Sequence, residues 1–133
     1  MKYLLDTNMC VYIMNRRPLN VTRKFKEHDI GDIGVSSITV SELYYGAQKS
    51  SHPEKNLQRL FNFLLPFEIL PYDEAAASTY GYVRAVLERR GELIGPLDML
   101  IAAHALSQNL ILVSNNVREF QRVPGLRIEN WVA

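Results

Sequence analysis

Short apolar runs alternate with longer helix-like segments along this chain of 133 residues. The run Leu110 to Val113 is wholly apolar, which is typical of a parallel strand buried on both faces. Residues 73 to 90 begin with two acidic residues and end with two basic ones before Gly91, a pattern that favours a helix with a matched macrodipole. Strands that alternate with helices predict a layered α/β domain with a parallel sheet.

This alternation sets the expected element boundaries. Strands are predicted at residues 2 to 5, 34 to 35, 67 to 70 and 110 to 113, with an edge strand at 126 to 128. Helices are predicted at residues 8 to 15, 19 to 27, 39 to 49, 53 to 65, 73 to 90 and 97 to 108. Thr7 or Asn8 is expected to cap the first helix. The length fits a single domain over residues 1–133.

Composition narrows the class of protein. With 47% hydrophobic and 22% charged residues, the chain is globular throughout. No apolar run approaches the roughly 20 residues of a membrane span, and the N-terminus lacks signal-peptide features, so we expect a cytoplasmic protein with no membrane contact. Cys10 is the only cysteine, which excludes an internal disulfide, and its apolar neighbours favour a buried structural thiol.

Four acidic residues lie at predicted strand-to-helix or loop-to-helix junctions: Asp6, Glu42, Asp98 and Glu119. In an open α/β sheet such junctions line the crevice at the carboxyl ends of the strands, where ligands bind. Two carboxylates about 5 Å apart repel by roughly 3 kcal/mol at an effective dielectric constant of about 20. A cluster of them therefore requires a cation or raised pKa values.

Each acid also has a purely structural interpretation. Asp6 can satisfy a turn after the first strand, and Glu42 can complete a capping box with Thr39. Asp98 lies in a first helical turn, where a carboxylate is favoured by about 0.3 to 1 kcal/mol. The coincidence of these acids at junctions of the same kind favours a shared pocket.

Basic residues form two local groups in a chain whose net charge is only +1. Any contact with nucleic acid must therefore be local. The alternative for each group is a solvated helix face. One group is Arg16, Arg17, Arg23, Lys24 and Lys26, and the other is Arg84, Arg89 and Arg90.

Four sequence blocks in order carry a family resemblance. They are Leu4-Leu5-Asp6-Thr7-Asn8, Ser41-Glu42-Leu43, Gly95-Pro96-Leu97-Asp98 and Ser114-Asn115-Asn116-Val117-Arg118-Glu119-Phe120. They resemble the signature blocks of a PIN domain and, more narrowly, of the VapC toxins of bacterial VapBC toxin-antitoxin pairs. The resemblance covers essentially the whole chain. It implies a PIN-like three-layer α/β/α domain with a central, mainly parallel sheet of four to five strands.

The resemblance also implies a metal-dependent endoribonuclease that cleaves structured RNA, foremost tRNA. Asp6 and Asp98 would be direct ligands of Mg²⁺, or of Mn²⁺. These hard ions keep several waters, so one or two direct carboxylates suffice. Glu42 would hold or deprotonate a metal-bound water, and in-line attack would leave a 5′-phosphate and a 3′-hydroxyl.

Asn116 departs from the commonest family pattern, which has an aspartate there. An amide cannot supply charge, so Glu119 is expected to be the fourth carboxylate, and whether one or two metals bind stays open. Ser114 resembles the small hydroxyl residue beside the acids, where it would bond Asp6 or a water. Its alternative role is to cap the following turn. Asn8 is assigned a supporting role.

The partners implied by the resemblance are a VapB-type antitoxin, RNA and a second copy of the chain in a homodimer that assembles further with antitoxin. DNA contact would be indirect, through the antitoxin. Arg16, Arg17, Arg23 and Lys24 are the expected RNA-binding residues. An apolar stripe of Leu57, Leu60, Phe61 and Leu64, with Phe63 and Leu65 outside it, is expected to receive the antitoxin. The alternative is that this stripe lies in the chain's own core.

Two other functional classes remain. A PIN-like module could bind RNA or a partner without cleaving it, which the amide at Asn116 makes conceivable. A phosphoacceptor or phosphatase-type domain could use Asp6 as a nucleophile, but that chemistry favours a second acid two residues later, where this chain has Asn8. We therefore rank it last.

Overall fold

The computed structural model describes residues 1–133. Its strands are β1 (Tyr3–Leu5), β2 (Ile33–Ser36), β3 (Glu68–Leu70), β4 (Ile111–Val113) and β5 (Ile128–Glu129). Its helices are α1 (Thr7–Asn15), α2 (Leu19–Lys26), α3 (Ser37–Gln48), α4 (Pro53–Leu64), α5 (Glu74–Arg89), α6 (Pro96–Ser107) and α7 (Val117–Phe120), with a 3₁₀ turn at Ile30–Asp32. None of the helices combines the length and apolar character needed to cross a membrane.

The five strands form one sheet in the order β3-β2-β1-β4-β5, and every pairing is parallel. In the register of the three inner strands, Leu4 pairs with Gly34 on one side and with Leu112 on the other. Parallel pairing places the carboxyl ends of β1, β2 and β4 along one edge of the sheet. The segments that follow these strands therefore begin beside one another.

Alternating side chains of β1 divide the core into two layers. Tyr3 and Leu5 belong to a cluster with residues of α1 to α4, such as Leu60. Leu4 belongs to the second cluster, with residues of α5 and α6 such as Leu87. The prediction of a three-layer α/β/α domain with a parallel sheet is confirmed. Cys10 is fully buried in the first cluster, as expected for a structural thiol.

Two predicted helix starts are wrong. The cap of α1 is Asp6, not Thr7 or Asn8, because an Asp6 carboxylate oxygen accepts the Met9 amide. Helix α3 starts at Ser37 and is capped by Ser36, so Thr39 lies inside the helix and forms no capping box with Glu42. In both cases a side chain at the end of a strand captures the first free amides. Pattern alone did not locate that strand end.

The apolar stripe on α4 lies mostly in the chain's own core, as the alternative interpretation held. Leu60 and Leu64 are buried, whereas Phe61 is 51% exposed. Phe63, placed outside the stripe, packs against Phe67 with ring centroids 5.0 Å apart. The predicted stripe was therefore wrong at Phe61 and Phe63. The reason is that α4 packs against α3 on one side and against Phe67 on another. The predicted edge strand at 126 to 128 is displaced to β5.

Candidate active site

Hydrogen bonds to the end of β4 and to the first turn of α1 hold Asp6 in place. Its amide donates a hydrogen bond to the Val113 carbonyl of β4 at 3.1 Å. Its Oδ1 accepts the Met9 amide at 2.8 Å, and its Oδ2 accepts the Ser114 hydroxyl at 2.5 Å. The side chain is only 4% exposed. The carboxylate therefore has one defined orientation at the carboxyl end of β1.

Ser114 has both of the roles considered for it. Its hydroxyl donates to Asp6, and its oxygen accepts the Asn116 amide at 2.9 Å, which closes the turn after β4. The Asn116 side chain donates from Nδ2 to Glu119 Oε2 at 2.8 Å. The amide at position 116 thus positions the carboxylate of Glu119.

Thr7 is the residue that the sequence analysis undervalued. Its hydroxyl donates to Glu42 Oε1 at 2.6 Å and so links the first turn of α1 to α3. A hydroxyl directly after the acid of the first block was the available signal, but it was interpreted only as a cap. Asn8 is exposed, and its side chain makes no hydrogen bond within the chain, so no contact supports its assigned role.

Asp98 lies in the first turn of α6 and is partly buried. Burial raises the pKa of its carboxyl group to about 6, and the charges of Asp6, Glu119 and Glu42 add to this rise in that order. The pKa of Asp6 is also raised, first by burial, while the hydrogen bonds from Ser114 and Met9 oppose the rise. The charges of the three other carboxylates act on Asp98, so the four predicted acids lie near one another at the carboxyl edge of the sheet, and we call this group the acidic pocket.

No cationic side chain neutralises this pocket. The molecule contains three salt bridges, and none of them includes any of the four acids. No three His, Cys, Asp or Glu side chains lie close enough together to surround an ion on their own. An excess of oxygen ligands without a complete protein cage fits a hydrated hard cation such as Mg²⁺, which keeps several of its waters.

A groove of about 850 Å³ lies between α1, α3 and α4, and Glu42 is the one acidic residue that lines it. Thr7, Asn56 and Arg59 also line it. Met14 and Leu60 contribute apolar walls. The groove therefore joins the acidic pocket to a surface that is mixed apolar and basic.

Members of the first predicted basic group have different surroundings. Lys24 pairs with Glu27 at 3.8 Å, whereas Arg16 and Lys26 line a second, smaller groove. In the other basic group, Arg84 pairs with Glu88 at 3.7 Å on the same helix. RNA binding by the four named cations stays a prediction, and all four are exposed: Arg16, Arg17, Arg23 and Lys24.

Known proteins share both the sequence and this architecture. The PIN domain family matches residues 3–126. Ribonuclease VapC2 of Haemophilus influenzae is 52% identical over 132 residues, with 99% of each chain covered. The tRNA(fMet)-specific endonuclease VapC of Shigella flexneri is 46% identical, with 98% of each chain covered.

This chain belongs to the VapC family of PIN-domain proteins. A crystal structure of DNA-bound VapBC from Salmonella typhimurium agrees in fold, with a TM-score of 0.93 at 44% identity and 98% coverage of both chains. The four acids that the sequence blocks contain lie near one another in this VapC-family chain. Their individual catalytic and metal-binding roles stay predictions.

Proposed function

We propose that the protein is a metal-dependent endoribonuclease toxin that hydrolyses structured RNA, foremost tRNA, and is inhibited by a VapB-type antitoxin. The observation that carries this proposal is the pocket of four carboxylates without a cationic partner. Burial first, and then the charges of the three other acids, raise the pKa of Asp98, so its ionised form costs free energy in the absence of a cation. Relatives named as a ribonuclease and as a tRNA(fMet)-specific endonuclease support RNA as the substrate.

Asp6 and Asp98 are the residues that would hold Mg²⁺ or Mn²⁺. A bound ion of this kind supplies a Lewis acid that lowers the pKa of water and offsets charge on the scissile phosphate. Ser114 and the Met9 amide orient Asp6, so this ligand needs little rearrangement. Asp98 has no such support and is free to adjust its carboxylate.

Glu42 is the proposed proton acceptor for the attacking water. The Thr7 hydroxyl occupies one side of its carboxylate and leaves the other oxygen available. Glu119, held by Asn116, adds negative charge at the opposite side of the pocket. In-line attack by water would give a 5′-phosphate and a 3′-hydroxyl.

The antitoxin is proposed to occupy the groove that begins at Glu42. Its apolar walls suit an amphipathic polypeptide segment, and the uncompensated acids at its end suit a cationic side chain. Two solved VapBC structures of relatives, both of them bound to DNA, support a VapB partner and an indirect DNA contact. A homodimer that assembles further with antitoxin is part of the same proposal.

The test is cleavage of purified tRNA by the purified chain in Mg²⁺, in Mn²⁺ and in a chelator. Sequencing of the RNA ends identifies the cut position and the terminal phosphate. We expect Asp6→Asn and Asp98→Asn to reduce cleavage by orders of magnitude, because ion placement fails in both. The matched control is Asp29→Asn, which removes the same charge from an exposed side chain outside the pocket.

Two results would overturn the proposal. One is cleavage by Asp98→Asn at the rate of the unmodified protein under matched metal. The other is binding of RNA by the unmodified protein with no metal-dependent cleavage, which would favour the PIN-like binding module. Equal losses in the Asp29→Asn control would show that the measured rates reflect preparation and not the pocket.

A further inference from the structure

A second groove, of about 510 Å³, lies beside the first. It runs between the end of α1, α2 and α4, and Met14 and Arg59 line both grooves. Because Glu42 lines the first groove, the two grooves together connect Glu42 with the surface around α2. The sequence analysis did not detect this groove, since its residues come from three separate helices.

The lining of the second groove is cationic without any counter-charge. Arg16, Lys26 and Arg59 are its only charged residues, and all three are basic. None of them belongs to a salt bridge. In a chain with a net charge of only +1, three unpaired cations around one concavity are a local concentration of positive charge. Such a lining complements an anionic occupant.

Arg59 lines both grooves, and two hydrogen bonds fix the position of its guanidinium group. Its Nη2 donates to the Met14 carbonyl at 2.8 Å and to Asn15 Oδ1 at 2.9 Å. These bonds use one nitrogen of the guanidinium and leave Nε and Nη1 available for a phosphate. The position of the charge is therefore set before any ligand arrives.

The rest of the lining suits a nucleotide chain. Phe25 and Phe63 are partly buried and contribute aromatic surface. Cations beside aromatic rings form the usual surface for single-stranded nucleic acid, where phosphates meet the cations and bases contact the rings.

We propose that this second groove binds the single-stranded RNA segment next to the phosphate that is cleaved, through Arg16, Lys26 and Arg59. The inference rests on the proposed nuclease function. Four carboxylates repel an RNA backbone, so the binding free energy for the substrate must come from positive surface beside the pocket. The second groove supplies such a surface, and it shares Met14 and Arg59 with the groove that Glu42 lines. An antitoxin segment in the first groove would then interrupt the RNA path.

The test compares two double variants that remove equal charge from different parts of the surface. Arg16→Gln with Lys26→Gln alters the groove, whereas Lys2→Gln with Lys55→Gln alters exposed cations that line neither groove. Each pair is placed in full-length Asp98→Asn protein to prevent cleavage. Affinity for a short fluorescein-labelled single-stranded RNA is measured by anisotropy over a range of salt concentrations.

We expect the groove pair to raise Kd about tenfold and the control pair to change it less than about twofold. Loss of two phosphate contacts should also reduce the slope of log K against log salt by about 1.4. With Asp98 restored, the groove pair should lower kcat/KM for tRNA cleavage mainly through KM. Lys26→Gln alone, at an exposed side chain, should show part of the effect and controls for folding.

The outcomes separate this inference from the nuclease assignment. If the unmodified protein cleaves no RNA but the groove pair still weakens RNA binding selectively, the groove stands and the nuclease proposal fails. If both pairs weaken binding equally, or neither does, the groove proposal is overturned even when cleavage is normal. Unchanged RNA affinity combined with weaker inhibition by a co-expressed antitoxin would overturn it in favour of a protein-binding site.

Discussion

Asp6 and Asp98 share one pocket but are held in different ways. Both carboxylate oxygens of Asp6 accept hydrogen bonds, and the side chain is 4% exposed. Asp98 is more exposed, accepts no protein hydrogen bond to its side chain, and has its pKa raised to about 6. The protein thus fixes the orientation of the Asp6 carboxylate, whereas the Asp98 carboxylate has no hydrogen bond that fixes it. The difference shows that Asp6 is preorganised and that burial and nearby charge dominate at Asp98.

The largest effect beyond loss of an acid is expected from the support of Asp6. Ser114→Ala removes the 2.5 Å hydrogen bond that orients Oδ2 and opposes the rise in the Asp6 pKa. We expect metal affinity or cleavage to fall about 10- to 100-fold. Titration of Mn²⁺ binding checks this without relying on activity. An Mn²⁺ affinity equal to that of the unmodified chain would show that Asp6 needs no hydroxyl.

Loss of the hydrogen bond that orients Glu42 should have a smaller effect, because the Thr7 hydroxyl is the one side-chain group that holds this carboxylate. Thr7→Val removes the 2.6 Å hydrogen bond while preserving side-chain volume. We expect kcat to fall about tenfold with little change in KM, because the proton acceptor loses its orientation. Thr7→Ser should recover most of the rate. A loss in Thr7→Ser as large as in Thr7→Val would point to packing of α1 instead of the hydroxyl.

Replacement of Asp98 should change the pH dependence of folding stability. Its folded-state pKa is about 6, above the ordinary value of 3.8, so the unfolded chain loses this proton first as pH rises. The cost to folding is absent below about pH 3.8, grows between the two values and is complete above about 6. Metal-free Asp98→Asn should therefore melt higher than the unmodified chain at pH 7.5. The gain should shrink as pH falls toward 4.

Added Mg²⁺ should affect the unmodified chain and Asp98→Asn differently. It should raise the melting temperature of the unmodified chain at pH 7.5 and have less effect on that of Asp98→Asn. Scanning calorimetry at several pH values measures both trends. A lower melting temperature for metal-free Asp98→Asn at pH 7.5 would contradict the assignment of Asp98 as a strained carboxylate.

The smallest expected effect comes from a buried site outside the pocket. His104 is fully buried and its Nδ1 lies 2.8 Å from Ser36 Oγ, while its Nε2 has no partner. Burial lowers its pKa below 6.5, so the unfolded chain is protonated first as pH falls. Stability should therefore decline below about pH 6.5, opposite in sign to the contribution of Asp98. Urea unfolding of Asp98→Asn between pH 7.5 and 5 isolates this decline.

Sequence reasoning recovered the layered fold because its signals are local. The all-apolar run of β4, the macrodipole pattern of α5 and the prolines that open α4 and α6 each depend on neighbouring residues only. The same reasoning placed the four acids at junctions. It failed at the starts of α1 and α3, because Asp6 and Ser36 cap those helices from strand ends whose limits depend on pairing with other strands.

The contacts that tune the acids could not be predicted in this way. Ser114 and Asp6 are 108 residues apart, and Thr7 and Glu42 are 35 apart. The second groove likewise needs α1, α2 and α4 to meet before Arg16, Lys26 and Arg59 face one concavity. Each of these features depends on distances between elements, which a pattern along the chain does not contain.

By itself the sequence determined a parallel α/β sheet and the presence of carboxylates at its carboxyl edge, because hydrophobic periodicity and chain order specify both. The tertiary structure alone decided which acid is fixed by hydrogen bonds, how far burial and charge raise the pKa values of the acids, and where basic side chains lie close together. Those properties arise from burial and from Coulomb interactions, and both depend on separation in space.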